Sequence, residues 1–138
     1  LMNITICGSM KFHEEMKAIR DALEVMGHTV LVPKDLDDPQ INEAYLISEE
    51  EKITAKIEYD FIREHFRKIE HADAILVLNY EKNSIPGYIG GNTFLEMGVA
   101  YWLKKTIYLL YPVPKMDYNT EMAAMQPTIL NGDLSKLE

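Results

Sequence analysis

Residues 74–78 read Ala-Ile-Leu-Val-Leu, an uninterrupted apolar run. A strand with one face in water alternates polar and apolar side chains, whereas a strand covered on both faces is apolar throughout. The run therefore predicts a strand of a parallel sheet that has helices on both sides. Stretches with helical spacing of apolar residues separate it from four other short runs that we interpret as strands, residues 4–7, 29–32, 106–111 and 128–130.

Strands and helices alternate along the whole chain, in the order β-α-β-α-β-α-β-α-β. This order predicts one α/β domain over residues 1–138, a flavodoxin-like or Rossmann-like five-stranded parallel sheet with helices on both faces. Ligands of such sheets bind beyond the carboxyl ends of the strands. We therefore expect a site at the edge formed by Gly8-Ser9, the loop 79–92 and the segment after Tyr111.

The connecting segments are predicted from spacing and capping signals. Ser48 and Glu51 form a capping box, and we expect one helix from there to about His71. Residues 34–47 are acidic and irregular, which indicates a surface loop or flap. A further helix is predicted from about Thr93 to Lys104.

Composition limits the possible partners. The formal net charge is −8, which argues against a nucleic acid polymer, although a few local donors can still hold a small nucleotide. A single cysteine, Cys7, cannot form an intramolecular disulfide, so we expect a reducing, cytoplasmic compartment. No apolar run approaches the roughly 20 residues that cross a bilayer, so no membrane partner is expected.

Glu96 is the only charged residue between Asn92 and Leu103. A carboxylate in an apolar helix is costly to bury without partners, and burial raises its pKa. Two interpretations are open. Glu96 can satisfy a backbone amide in a capping box with Thr93, or it can be a chemical centre. Gly90-Gly91 favours the second, because small residues let a ligand approach a helix N-terminus.

Two other positions are candidates for the site. Gly8, Ser9 and Lys11 open the first helix with free amides, a hydroxyl and an ammonium that suit a phosphate or sugar hydroxyl. The alternative interpretation is that Ser9 is an N-cap and Lys11 a solvated side chain. His65 shares the inward face of its helix with Phe61 and Ile69, as either a hydrogen-bonded core residue or a functional one. No spacing of Cys, His or carboxylates indicates a metal site.

These segments resemble a known family. Residues 4–11 (Ile-Thr-Ile-Cys-Gly-Ser-Met-Lys), 71–74 (His-Ala-Asp-Ala) and 91–100 (Gly-Asn-Thr-Phe-Leu-Glu-Met-Gly-Val-Ala) are similar to the nucleoside 2-deoxyribosyltransferase family, which includes hydrolases of nucleoside 5′-monophosphates. The resemblance covers nearly the whole chain in the same element order, and Glu-Met-Gly-x-Ala is its most specific part.

The resemblance implies an enzyme that cleaves the bond between a base and a deoxyribose. Glu96 would attack the anomeric carbon and form a glycosyl ester, which water or a second base resolves, with no metal or organic cofactor. It also implies a homo-oligomer, dimer or higher, in which Asn119 or Thr120 completes a neighbouring site. The implied substrate-binding residues are Gly8, Ser9, Lys11, Gly90, Gly91, Asn92 and Asn119.

The chain departs from the family at two carboxylates. His65 stands where the family has an aspartate eight residues before Asp73, and Gly90 stands where the transferases have one six residues before the nucleophile. His65 could still protonate or orient the base. These departures favour a hydrolase over a transferase, and they leave open a second hypothesis, a non-catalytic nucleotide-binding module of the same fold.

Overall fold

A computed structural model describes residues 1–38, 41–42 and 45–137 of the chain. A short 3-10 helix at Met10–Phe12 precedes the first α-helix, and another at Leu134–Lys136 follows the last strand. The main elements in chain order are β1 (Asn3–Cys7), α1 (His13–Val25), β2 (Thr29–Leu31), α2 (Glu49–Glu58), α3 (Phe61–Glu70), β3 (Ala74–Val77), α4 (Gly91–Trp102), β4 (Thr106–Leu109), α5 (Asn119–Ala124) and β5 (Thr128–Ile129).

Within these residues the strands form a five-stranded sheet in the order β2-β1-β3-β4-β5, and every pairing is parallel. The predicted fold class is confirmed, and the strand order is the flavodoxin-like one. β2 lies on one side of β1 and β3 lies on the other, so the strand order reverses at β1. Folds of this type bind ligands in the crevice beyond the carboxyl ends of the strands at this point.

The central strand β3 divides two apolar cores. Leu76 packs with β1 and α1 on one face, whereas Ile75 and Val77 pack with α3, α4 and α5 on the other. Because both faces are covered, residues 74–78 are at most 1% exposed. This burial explains why the run carries no polar residue.

The helix expected from Ser48 to His71 is wrong, because the structure has two helices there. The capping box at Ser48 opens α2 as predicted, but α2 ends at Glu58 and Asp60 adopts a left-handed conformation with φ 54° before α3 begins. Asp tolerates this conformation, and no glycine or proline marks the break. Ile57, on α2, is 76% exposed.

The acidic loop expected at the surface over residues 34–47 is also corrected in part. Asp35 and Leu36 are buried, 3% and 2% exposed. They lie in a turn at residues 34–37, and Leu36 belongs to the apolar core that contains residues of α1. Residues 39, 40, 43 and 44 of that prediction lie outside the described residues. Among the described residues no helix has the length and apolar character needed to cross a membrane.

Candidate active site

A cavity of about 260 Å³ opens beyond the carboxyl ends of β1 and β2. Five parts of the chain form its wall: the residues that follow β1, the turn after β2, one side of α2 and α3, the loop after β3 and the start of α4. Of the three segments that the sequence predicts at this edge, Gly8-Ser9 and the loop 79–92 line this space, whereas the segment after Tyr111 does not. The polar and ionisable side chains that line it and are considered below are Ser9, Asp35, Lys56, His65, Lys82, Tyr88, Asn92 and Glu96.

Helix α4 directs Glu96 to this cavity. The helix begins at Gly91 with Gly90 as its N-cap, two residues earlier than predicted, and no side chain caps it. Thr93 therefore lies inside the helix, and the capping-box interpretation of Thr93 and Glu96 is wrong. Glu96 is only 4% exposed, yet it lines the cavity.

The Glu96 carboxyl has polar neighbours on two elements. Asn92, one turn earlier, donates from Nδ2 to Glu96 Oε2 at 3.5 Å, and His65 Nε2 lies 3.9 Å from the same oxygen. Burial raises the pKa of Glu96 to about 8, while a hydrogen bond from the Cys7 thiol and the charge of Lys56 act against this rise. The carboxyl is thus mostly protonated at neutral pH.

His65 is a neutral partner. Its Nε2 lies 2.9 Å from the Ile6 carbonyl oxygen, which only accepts, so Nε2 carries a hydrogen. Its Nδ1 is buried with no hydrogen-bond partner among the described residues. Burial and, to a smaller extent, the charge of Lys68 lower the pKa of His65 to about 4. The contact between His65 and Glu96 therefore joins two uncharged groups at neutral pH, although its distance alone would fit an ion pair.

Cys7, His65 and Glu96 converge in a way that sequence spacing did not indicate. One potential ligand atom from each lies within 4.8 Å of the others, and these are residue types that bind zinc. However, a metal needs the free lone pair of a histidine nitrogen, and the nitrogen that faces this cluster donates to Ile6. Burial also raises the pKa of the Cys7 thiol, and the adjacent Glu96 adds to the effect. The geometry fits a hydrogen-bonded cluster better than a metal centre.

Asp35 and Lys56 are site residues that the sequence analysis missed. Both line the cavity, and burial raises the pKa of Asp35 while lowering that of Lys56. The charge of Lys56 acts on both Asp35 and Glu96, which brings two carboxyl groups and one ammonium into the same electrostatic environment. Asp35 lies in the turn after β2, and an acidic run in the sequence gives no periodic signal that one of its residues is buried.

Ser9 and Lys82 form the polar rim. Ser9 Oγ accepts from the Lys11 backbone amide at 3.2 Å, which confirms the N-cap interpretation, and from Lys82 Nζ at 3.1 Å. Lys82 Nζ also lies 5.3 Å from the centre of the Tyr88 ring. Capping and lining the cavity are thus combined in one serine.

The structure brings most of the predicted site residues together. Lys11 lies outside the main cavity and lines a neighbouring pocket instead. Asn119 is exposed at the start of α5 and is not among the residues that line either space. The predicted residues that do line the cavity are Gly8, Ser9, His65, Gly90, Gly91, Asn92 and Glu96.

Comparisons with known proteins establish the fold. No protein-family model matches the chain, and no curated protein matches it. Among solved structures, it is similar to the CMP N-glycosidase BcmB of Clostridium botulinum, with a TM-score of 0.50 and 16% identity. The match covers 92% of this chain and 84% of that one. At this identity the similarity shows a shared fold over nearly the whole chain.

The burial of Glu96 should make the free energy of unfolding depend on pH. Its pKa of about 8 means that the folded protein keeps a proton that the unfolded chain releases, so the free energy of unfolding falls as pH rises from about 5 to about 8. Glu96→Gln removes this slope. We expect the variant to match the parent below about pH 5 and to exceed it above pH 8 by on the order of 5 kcal/mol. Chemical denaturation across this pH range measures the difference.

The matched control is Glu24→Gln, which changes an exposed carboxylate on α1. Its stability curve should run parallel to that of the parent. If Glu96→Gln also gives a parallel curve, the carboxyl of Glu96 is ionised in the folded protein and the protonated form described above is wrong.

Proposed function

We propose that the chain cleaves the N-glycosidic bond of a nucleoside or nucleoside 5′-monophosphate, with Glu96 as the nucleophile. The observation that carries the proposal is a buried carboxyl group that lines a cavity at the ligand-binding edge of the sheet. The N-glycosidase activity named for the similar solved structure supports the same bond as the target.

The reaction follows the logic of retaining glycosidases. The Glu96 carboxylate attacks the anomeric carbon while the bond from that carbon to the base nitrogen breaks, and its electron pair leaves with the base. The base takes up a proton. Water then attacks the anomeric carbon of the glycosyl ester and gives one proton to the group that protonated the base, which releases the sugar and the free carboxylate. The missing carboxylates at positions 65 and 90 favour water over a second base as the acceptor.

The attacking form of Glu96 is the ionised one. With a pKa of about 8, only a minority of the free protein carries it at neutral pH. The ammonium of Lys56 favours ionisation, and so does the positive charge that develops on the sugar. For a substrate whose leaving group needs no proton, the rate of its release should therefore rise with pH up to about 8.

His65 acts as a positioning residue in this proposal. A pKa of about 4 leaves it without a proton to give at neutral pH, and its Nε2–H is engaged by the Ile6 carbonyl. Its neutral ring lies beside Glu96 and joins α3 to β1. The proton for the leaving base must then come from another group.

Asp35 is the group that we assign to protonate the base. It lines the same cavity from the turn after β2 as a second carboxyl group, and burial raises the pKa of that group above its usual value. Two carboxyl groups in different environments can take the roles of nucleophile and acid. Asp35 would thus supply the carboxyl that positions 65 and 90 lack.

A homo-oligomer is part of the proposal. Asn119 is exposed and outside the cavity of its own chain, so it can contribute to catalysis only in the site of a neighbouring subunit. The substrate partner is a small nucleoside or nucleotide.

The second candidate function is a nucleotide-binding module without turnover. The observation in its favour is the protonated state of Glu96, because a neutral carboxyl is a poor nucleophile. Both functions use the same cavity, and they differ in whether a product forms.

The first test follows free base by chromatography during incubation with a panel of deoxynucleosides, ribonucleosides and their 5′-monophosphates. We expect at least one substrate to release base, and Glu96→Ala to lower the rate to that of a sample without enzyme. A rise in melting temperature with a nucleotide but no base release would support the binding module instead. Release that Glu96→Ala does not change would contradict the role of Glu96.

The second test concerns Asp35. We expect Asp35→Asn to lower kcat/KM for a natural substrate by roughly 10²–10⁴-fold, the usual contribution of a general acid. For the 4-nitrophenyl deoxyriboside, whose leaving group departs as an anion, the loss should stay below about tenfold.

Asp37→Asn is the matched control, since Asp37 lies in the same turn with its exposed carboxylate paired to Arg20 at 2.9 Å. It should leave both substrates unaffected. Equal losses on the natural and the nitrophenyl substrate in Asp35→Asn would show a structural role and not acid catalysis.

A further inference from the structure

A second pocket of about 450 Å³ adjoins the cavity and shares Ser9 and Lys82 with it. Lys11 from the 3-10 helix after β1 and Lys52 from α2 complete its polar wall. Three lysines from three separate parts of the chain thus converge on one space. No acidic side chain is among the described residues that line it.

This convergence is unfavourable in the absence of a ligand. The chain has 22 acidic residues against 14 Lys and Arg, so its net charge is negative. The three lysines give the pocket the opposite sign. Burial lowers the pKa of Lys82, and the charges of Lys11 and Lys52 lower it further. His13 also lines the wall, and its Nδ1 lies 3.3 Å from Glu14 Oε1. A bound anion would relieve their mutual repulsion.

The arrangement of the lysines indicates more than one phosphate group. Ser9 and Lys82 lie where the two spaces meet, so a phosphate there would also be next to a sugar in the main cavity. Lys11 and Lys52 line only the second pocket, so a phosphate at the junction leaves these two ammonium groups available to further phosphate groups. Lysine ammonium groups are common phosphate ligands because they act as point charges.

We propose that this lysine pocket binds the terminal phosphates of a nucleoside di- or triphosphate whose first phosphate lies at Ser9 and Lys82. That such a nucleotide is a substrate rests on the proposed function. That the pocket binds a chain of phosphates does not, because binding needs neither Glu96 nor turnover.

The test is isothermal titration calorimetry of the full chain with inorganic tripolyphosphate, pyrophosphate and orthophosphate at fixed ionic strength. We expect tripolyphosphate to bind at least tenfold more tightly than orthophosphate. Lys52→Met and Lys11→Met should each weaken tripolyphosphate binding about tenfold, the effect expected for losing one close charge. Both side chains are exposed, so the variants should fold, and circular dichroism checks this.

Two variants serve as controls. Lys136→Met removes an exposed lysine outside the pocket and should leave binding unchanged. Glu96→Ala should also bind tripolyphosphate like the parent, which separates this proposal from the catalytic one.

Equal affinity for orthophosphate and tripolyphosphate would overturn the proposal, as would equal weakening by Lys136→Met and Lys52→Met, which indicates only general charge attraction. Specific tripolyphosphate binding without base release from any nucleoside mono-, di- or triphosphate would support the pocket and contradict the proposed function. Base release from monophosphates without tripolyphosphate binding would do the reverse.

Discussion

A carboxyl group that is buried away from water must either accept hydrogen bonds from its neighbours or keep its proton. The residues around Glu96 meet this requirement. Asn92, Cys7 and His65 surround the carboxyl, and they come from α4, β1 and α3. The contacts at Glu96 therefore also link α4 to β1 and α3. Burial keeps Glu96 protonated and His65 neutral, so the cluster carries little charge at rest.

That same burial explains how one group can be stable in the free protein and reactive with a substrate. An apolar environment disfavours an isolated carboxylate but strengthens its attraction to a cation. A sugar that develops positive charge at the anomeric carbon supplies such a cation, and Lys56 lowers the cost of ionisation. Asp35 lies on another wall of the same cavity, in a different environment from Glu96. The proposed roles thus follow from where the two carboxyl groups lie.

The fold was predictable because its signals are local. The apolar run at 74–78 indicates a doubly covered strand, and the alternation of elements gives a parallel sheet. The break at Asp60 was not predictable, since a left-handed aspartate interrupts the helix without changing the apolar spacing around it. Glu96 stood out as one charge in an apolar helix, whereas Asp35 lies in an acidic segment where a buried carboxylate looks like its exposed neighbours. The approach of Lys11, Lys52 and Lys82 depends on three distant segments, and no local pattern records it.

The central claim is that Glu96 forms a covalent bond to the sugar. A 2′-fluorinated deoxynucleoside or its 5′-phosphate slows hydrolysis of such an ester, because fluorine withdraws electrons from the charged transition state. Mass spectrometry of the intact protein after incubation with this compound, followed by peptide mapping, tests the claim directly. The account predicts a mass increase of one fluorinated sugar, with its phosphate where present, on the peptide that contains Glu96. Base release without an adduct, or an adduct on another residue, would contradict it.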